Sequence, residues 1–194
     1  REAIGQKEPL DINLVDEFGS GIPCLQAHLG EGSFKSYLLV VPGSLIAKLY
    51  DQHGARLLEQ NVRCFLQARG KVNKGIRNTI VNEPQMFFSY NNGLTATAQE
   101  VETVNNGNGL ELTRLVDLQI VNGGQTTASI FNGLHKEKAD LQDLFVQMKL
   151  SVIDATEVEE VVPRISQYAN TQNKVNAADF FSNHPFHIRM EGFS

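Results

Sequence analysis

The stretch from Asp117 to Thr127 restricts how this chain can fold more than any other segment. It begins with apolar, β-favouring residues, stops at the glycine pair Gly123–Gly124, and continues into a segment that can form a helix. Glycines let the backbone approach a ligand, and the free N–H groups of a first helical turn attract anions. The stretch is neither a Walker A loop, because no Lys follows the glycines, nor a GxGxxG fingerprint. Two interpretations stay open: a simple turn joining two elements, or an anion-binding turn.

Side-chain amides recur at the ends of the predicted elements, and two of them belong to the glycine turn itself. The full set is Asn61, Asn73, Asn91, Asn92, Asn122, Gln125, Asn170, Gln172 and Asn173. Each one alone is a common turn or cap residue. If they meet on one side of a sheet, they form an uncharged hydrogen-bonding cleft. Such a cleft suits a base, a sugar or a nucleotide better than proton-transfer chemistry, because amides do not titrate.

A basic segment runs from Asn61 to Asn82. It contains five basic residues and no acidic residue, in a chain whose formal net charge is −5. The five are Arg63, Arg69, Lys71, Lys74 and Arg77. Such a patch is either a solvated helix face or a seat for phosphate, to which Arg and Lys supply charge and hydrogen-bond donors.

The spacing of apolar residues predicts an α/β or α+β fold, in which helices pack on one mixed β-sheet within a single domain. The predicted strands are Ile22–Leu29, Phe34–Val41, Met86–Tyr90, Leu94–Val104, Leu110–Val121 and Phe145–Ile153, with a shorter one around Leu10–Leu14. Helices are predicted within residues 45–82, 125–140 and 157–182. We divide the chain into an N-terminal region of strands and loops, residues 1–44, and a core domain, residues 45–194.

Local signals make some of these predictions more specific. The continuous apolar run Tyr37–Val41 indicates a central strand that is buried on both faces. Ser44 is predicted to cap the helix that follows it, and Thr156 with Glu159 to form a capping box. The turn Asn91–Gly93, between two strand-like runs, favours a hairpin, although its amides are also candidates for ligand contacts.

The composition excludes several classes of protein. The chain is 41% hydrophobic and 20% charged, as is usual for globular proteins, and no apolar run approaches the roughly 20 residues of a membrane helix. Two cysteines make no disulfide framework, and they fit the reducing cytoplasm. The five histidines lack metal-ligand spacing, so no metal site is predicted. Because the chain starts with Arg1, we expect it to be a piece of a longer protein.

Several segments in a fixed order resemble a known family. They are Asn61–Leu66, Val72–Arg77, Phe88–Thr95, Gln119–Thr126 and Ala169–Asp179, and they cover about residues 61–185. In this order they resemble the AIPR family of abortive-infection phage-resistance proteins. The resemblance implies a role in bacterial defence against phage. It supplies neither catalytic residues nor a cofactor, and it leaves enzymatic activity open.

Together these observations predict the core of a phage-defence protein that binds nucleic acid or a nucleotide, in an amide-rich cleft beside the basic segment. The predicted ligand-binding residues are Asn122, Gly123, Gly124, Gln125, Thr126, Asn91, Asn92, Asn73, Lys74, Arg77, Arg63, Asn61, Asn170, Gln172 and Asn173. One alternative is a nuclease or nucleotide hydrolase completed by other parts of a longer protein. Another is a protein-interaction module that senses a phage component. A homo-oligomer is a further expectation.

Overall fold

A curled sheet of eight strands organises the residues that the computed structural model describes, which are 8–27, 35–58 and 74–171. The strands are β1 (Asp11–Asn13), β2 (Ile22–Gln26), β3 (Lys35–Pro42), β4 (Leu94–Ala98), β5 (Glu100–Asn105), β6 (Leu110–Val116), β7 (Gln119–Asn122) and β8 (Phe145–Val152). The α-helices are α1 (Leu14–Phe18), α2 (Gly43–His53), α3 (Lys74–Asn82), α4 (Phe87–Tyr90), α5 (Gly124–Glu137) and α6 (Val158–Thr171). Two short 3-10 helices cover Gly54–Leu57 and Pro84–Met86.

The strand order is β1-β6-β2-β3-β8-β4-β7, and β5 pairs with β6. The β4–β8 pair is parallel and the other pairs between these strands are antiparallel, so the predicted α+β fold with a mixed sheet is confirmed. Strand β5 follows β4 directly along the chain; β4 pairs with β7, and β5 pairs with β6. This bent hairpin curls the sheet, because β4 also pairs with β8 and β6 with β2. The division of the chain at residue 44 stays a prediction.

The hairpin bends where the predicted long strands are interrupted. Leu94–Val104 breaks at Gln99, and Leu110–Val121 breaks after Val116, so the prediction of two continuous strands is wrong. Asp117 has a positive φ of 52°. Its N–H donates to the carbonyl oxygen of Leu10 at 2.7 Å, and its carboxylate accepts from Leu10 N at 2.7 Å. These bonds to the N-terminal segment replace the ladder and turn the chain toward β7.

The predicted strand Met86–Tyr90 is wrong, because this segment is helical. Pro84 begins a 3-10 helix, and α4 ends where the N–H of Asn91 donates to the carbonyl oxygen of Phe87 at 3.0 Å. Phe87 is buried, whereas Phe88 and Tyr90 are exposed. Asn91–Gly93 is consequently a helix-to-strand connection, and its interpretation as a hairpin turn is wrong as well.

Strand β3 is central, since β2 and β8 pair with its two edges, as predicted. Its burial alternates instead of covering both faces: Leu39 and Val41 are buried, whereas Leu38 and Val40 are 44% and 45% exposed.

Two predicted helix caps are also wrong. Helix α2 begins at Gly43, no side chain of the described residues caps it, and Gly43 N instead donates to Leu144 O at 2.7 Å. The Thr156 hydroxyl donates to Asp154 at 2.6 Å instead of capping α6.

The core lies between the inner face of the sheet and helices α2 and α5. Ile130 on α5 and Leu39 on β3 are among its buried residues. Helix α3 packs against α5, where a Cβ at Gly133 would meet the Ile80 side chain. A second, smaller cluster of Val121, Ile153 and Val162 seats α6 on the sheet. Among the helices in the described part of the chain, none is both long and apolar enough to cross a membrane.

Arg114 on β6 links three strands through its guanidinium group. Its Nε and Nη2 donate to the carboxylate of Asp11 on β1 at 2.8 and 2.7 Å, and its Nη1 donates to Glu102 on β5 at 2.6 Å. The hydrogen bond from Arg114 lowers the pKa of Asp11 below its ordinary value. Arg114 therefore ties β1 to the β5–β6 pair near the edge of the sheet.

Lowering the pH is expected to weaken this tie. The unfolded state, where Asp11 has an ordinary pKa near 4, takes up the proton first. The contribution of the Asp11–Arg114 pair to the free energy of unfolding is therefore fully present above about pH 4, the pKa of the unfolded state. It is lost as the pH falls through the lowered pKa of Asp11 in the folded state. Urea midpoints at about pH 7 and about pH 3 should differ less for Asp11→Asn than for the wild type, by a small margin because the pair is exposed. The control is Asp51→Asn, an exposed carboxylate on α2; equal pH dependence in the Asp11→Asn variant and the wild type contradicts this expectation.

Candidate functional site

The turn between β7 and α5 is built around Gly123. Gly123 has a φ of 95° and a ψ of 18°, a left-handed conformation that glycine adopts readily. A Cβ at this position would lie 3.0 Å from the carbonyl oxygen of Gly93 and would overlap the Leu94 side chain. The turn therefore requires glycine both for its backbone angles and for its close approach to the Gly93–Leu94 backbone.

The first turn of α5 presents backbone donors. No side chain in the described part of the chain caps this helix, and Thr127 N donates to Gly123 O at 3.0 Å. The N–H groups of Gly124, Gln125 and Thr126 have no partner within the helix. The helix has 14 residues, so its peptide dipoles also place partial positive charge at this end. Both features suit an anionic group.

The Asn91–Gly93 turn lies directly against this helix end. The Asn91 amide donates to the Thr126 hydroxyl at 3.3 Å, and its carbonyl oxygen accepts from Gly93 N at 2.9 Å. Gln147 on β8 donates to the Asn92 carbonyl oxygen at 3.1 Å. Two of the predicted amide-bearing turns thus converge, and Asn92 in the Asn91–Gly93 turn is exposed.

Helix α6 closes a third side of the turn through a reciprocal set of hydrogen bonds. Asn122 donates to the carbonyl oxygen of Ala169 at 2.6 Å. The carbonyl oxygen of Val121 accepts from the Ser166 hydroxyl at 3.2 Å and from the Asn170 amide at 3.3 Å. A register shift in the β4–β7 pairing leaves Val121 opposite no β4 residue. Helix α6 supplies donors to the Val121 carbonyl group.

These bonds give Asn122 and Asn170 structural functions. The Asn170 amide also donates to the carbonyl oxygen of Ser166 at 2.7 Å, so three acceptors surround it. Both side-chain amide nitrogens are therefore directed at protein oxygen atoms. Ligand contacts by these two residues stay a prediction; in the two neighbouring turns Asn92 is exposed and Gln125 is half-buried, whereas Gly124 and Thr126 are buried.

The structure separates Lys74 and Arg77, the two described basic residues of the basic segment, from the glycine turn. Arg77 on α3 pairs with Glu137 in the last turn of α5, and the hydrogen bond that Arg77 Nε donates to the Glu137 carboxylate raises the pKa of Arg77. Glu137 is 13 residues beyond Gly124, which corresponds to about 20 Å along a helix axis. Lys74 and Arg77 line a small cavity of about 290 Å³ together with Asn78 and Asn82. A cation at the C-terminal end of α5 also complements the helix dipole.

Five predicted site residues lie outside the described part of the chain: Asn61, Arg63, Asn73, Gln172 and Asn173. The structure adds residues that sequence patterns missed. Ser166 is 2% exposed and shares a helix face with Asn170, four positions later, a spacing that was readable in the sequence. Phe88 and Tyr90 are 44% and 61% exposed, and they were missed because the segment was assigned to a strand.

Two further observations concern possible metal ligands and an apolar groove. In residues 8–27, 35–58 and 74–171, no three His, Cys, Asp or Glu side chains come together in a way that can hold a metal ion. A groove of about 1040 Å³ lies over β2 and β3, lined by apolar residues such as Leu25, Leu38 and Val40. It includes none of the predicted site residues, so the groove and the glycine turn are separate surfaces.

Comparison with known protein families identifies a match over most of the chain. A family model described as AIPR protein matches residues 58–194, which is 137 of the 194 residues. This range includes the glycine turn, the Asn91–Gly93 turn, and helices α3 to α6. A search of curated proteins found no match, and a search of solved structures also found none.

Proposed function

The chain belongs to the AIPR protein family, a family associated with abortive infection and phage resistance, and we propose that within this role its core binds nucleic acid or a nucleotide. The ligand lies at the turn between β7 and α5. The observation that supports this most is the convergence of two turns, since the Asn91 amide donates to Thr126 in the first turn of α5 at 3.3 Å. Backbone donors and side-chain amides thereby meet at one place.

The chemistry of this place suits a phosphate with a neighbouring sugar or base. Backbone N–H groups at a helix start bind phosphate oxygens without any cation. Side-chain amides donate and accept hydrogen bonds but do not move protons at neutral pH. Gln125, which is half-buried, and Asn92, which is exposed, supply such amides beside the helix start. The arrangement favours binding over proton-transfer catalysis.

Binding by the purified chain to a fluorescent nucleotide and to a labelled oligonucleotide, measured at low salt, tests this function. Gln125→Ala and Asn92→Ala are each expected to weaken binding about tenfold, the effect of losing one hydrogen bond to a charged ligand. Gln142→Ala and Asn108→Ala, which remove the same side chains from exposed loops, are matched controls and should leave affinity unchanged. Absence of binding to both ligands, or equal affinity for all four variants and the wild type, refutes the function.

A further inference from the structure

We propose that the surface formed by α3 and α4 binds single-stranded nucleic acid, with bases stacked on Phe88 and Tyr90 and phosphates extending between Lys74–Arg77 and the first turn of α5. This inference rests on the proposed function and names its ligand class. It adds two aromatic contact residues to the site and favours a polynucleotide over a mononucleotide.

Two exposed aromatic side chains lie on α4, the helix that leads into the Asn91–Gly93 turn. Phe88 is 44% exposed and Tyr90 is 61% exposed, whereas Phe87 between the 3-10 helix and these residues is 1% exposed and anchors α4 in the core. Tyr90 immediately precedes Asn91, whose amide binds Thr126. The Tyr90 backbone is thus one residue away from the predicted phosphate site. Rings held next to a phosphate site on a short, anchored helix provide stacking platforms for nucleobases.

This surface is less acidic than the chain as a whole. From Lys74 to Asn92 there are two basic residues, which Glu83 and the Arg77 partner Glu137 balance, in a chain with a formal net charge of −5. The same segment carries exposed amides at Asn78, Asn82, Gln85 and Asn92. Cations, amides and exposed rings together are typical of surfaces that track a nucleic-acid backbone while stacking its bases. A surface for an apolar protein partner needs no such cations.

The length of the surface favours an oligonucleotide over a single nucleotide as the ligand. Helix α3 runs alongside α5 in the opposite direction, because Ile80 packs at Gly133 and Arg77 pairs with Glu137. The path from Arg77 to the first turn of α5 is consequently about 20 Å. The phosphates of one nucleotide cannot contact both ends, whereas a strand of several nucleotides can. Bases reach exposed rings only when they are not stacked within a duplex, so the expected ligand is single-stranded.

Oligonucleotide binding to the purified chain tests the stacking part. A labelled oligo(dT) of about 12 nucleotides is compared with thymidine triphosphate by fluorescence anisotropy and competition. We expect the oligonucleotide to bind at least about tenfold more tightly than the triphosphate, and Phe88→Ala and Tyr90→Ala each to weaken it about tenfold. Tyr90→Phe keeps the ring and should retain wild-type affinity. Leu25→Ala, at an apolar residue that is 71% exposed on β2, is a control that should change nothing.

The dependence of affinity on salt tests the electrostatic part. Removing two phosphate contacts to a single strand lowers the slope of log affinity against log salt by about 1.4. The double variant Lys74→Ala/Arg77→Ala is expected to show this decrease. The double variant Lys35→Ala/Arg164→Ala removes the same two charges from other exposed positions and should keep the wild-type slope. Equal slopes for both double variants contradict the proposed path of the phosphates.

The outcomes separate this inference from the function on which it rests. If the triphosphate binds as tightly as the oligonucleotide and the aromatic variants behave as wild type, the single-strand inference is overturned. The proposed function then survives when Gln125→Ala still weakens binding of the triphosphate. If neither ligand binds, both fail. If Phe88→Ala abolishes binding of a protein partner and leaves oligonucleotide affinity unchanged, the aromatic pair is a protein interface and the inference is also overturned.

Discussion

Gly93→Ala is expected to lower the free energy of unfolding by about 4 kcal/mol. Gly93 has a φ of 78°, where an L side chain costs about 1–2 kcal/mol. A Cβ would lie 2.5 Å from the carbonyl oxygen of Gln147, an atom of the β8 backbone that cannot rotate away. Relief requires β4 and β8 to separate locally, and overpacking of this kind typically costs a further 1–3 kcal/mol or so. Urea denaturation monitored by circular dichroism measures the change.

Gly107→Ala is the matched control for this prediction. Gly107 lies between β5 and β6 with a φ of 86°, and a Cβ there would meet nothing within 4 Å. It therefore isolates the cost of the backbone conformation, about 1–2 kcal/mol. The difference between the two variants measures the close approach of the Asn91–Gly93 turn to β8. Similar losses in both variants would show that the tight contact between Gly93 and Gln147 is absent in solution.

Phe87→Ala is expected to cost about 4 kcal/mol as well, because truncating a buried Phe removes apolar contacts and leaves a cavity. Phe87 is 1% exposed and anchors α4. A loss of this size is a large part of the roughly 5–15 kcal/mol that stabilises a typical domain. Chemical denaturation and the thermal midpoint both report it. The loss of the anchor should also weaken binding at the neighbouring Asn91–Gly93 turn.

Phe88→Ala, one residue later, provides the contrast. Phe88 is 44% exposed, so its truncation should change the free energy of unfolding by no more than about 0.5 kcal/mol. The pair also tests which of these two adjacent rings lies in the core. A larger loss for Phe88→Ala than for Phe87→Ala would contradict the structure at this point.

The glycine turn shows how far sequence patterns reached. The order of strand, glycine pair and helix from Gln119 to Phe131 was predicted and is confirmed, because adjacent residues supply every signal for it. Strand β3 was likewise recognised as central from its apolar run. Its half-exposed outer face was not predicted, since a run of apolar residues does not reveal which neighbours cover each face.

The failures have physical causes that lie outside the local sequence. Met86–Tyr90 contains aromatic, β-favouring residues, yet the segment forms the one-turn helix α4, in which Phe87 is the residue buried in the core. The strand predicted through Val121 breaks at Asp117, because Leu10 binds both its N–H group and its carboxylate. At Asp117, propensity was overruled by a partner distant in the chain, and at Met86–Tyr90 by the burial of Phe87 in the core.

In the candidate site, too, some features were readable from the sequence and others only from the structure. That Asn122, Gln125 and Asn91 lie at element ends was readable from the sequence, and the contribution of these residues to ligand binding stays a prediction. Their surroundings were not readable: Asn91 meets Thr126 across 35 positions, and Asn170 meets Val121 across 49. Arg77, which the basic segment suggested as a neighbour of the turn, pairs with Glu137 at the opposite end of α5.

Local chemistry was sufficient for the turn itself, because glycine conformations, β-branched residues and helix starts act over a few bonds. Its placement depended on the curled sheet, which brings β4 beside β7 and sets Gly123 against Gly93. Such pairings join chain segments whose separation no periodicity encodes, and they follow from which surfaces bury together. The sequence thus supplied a potential anion-binding turn, and the tertiary contacts decided that Asn91 and helix α6 lie against it and that Arg77 pairs at the far end of α5.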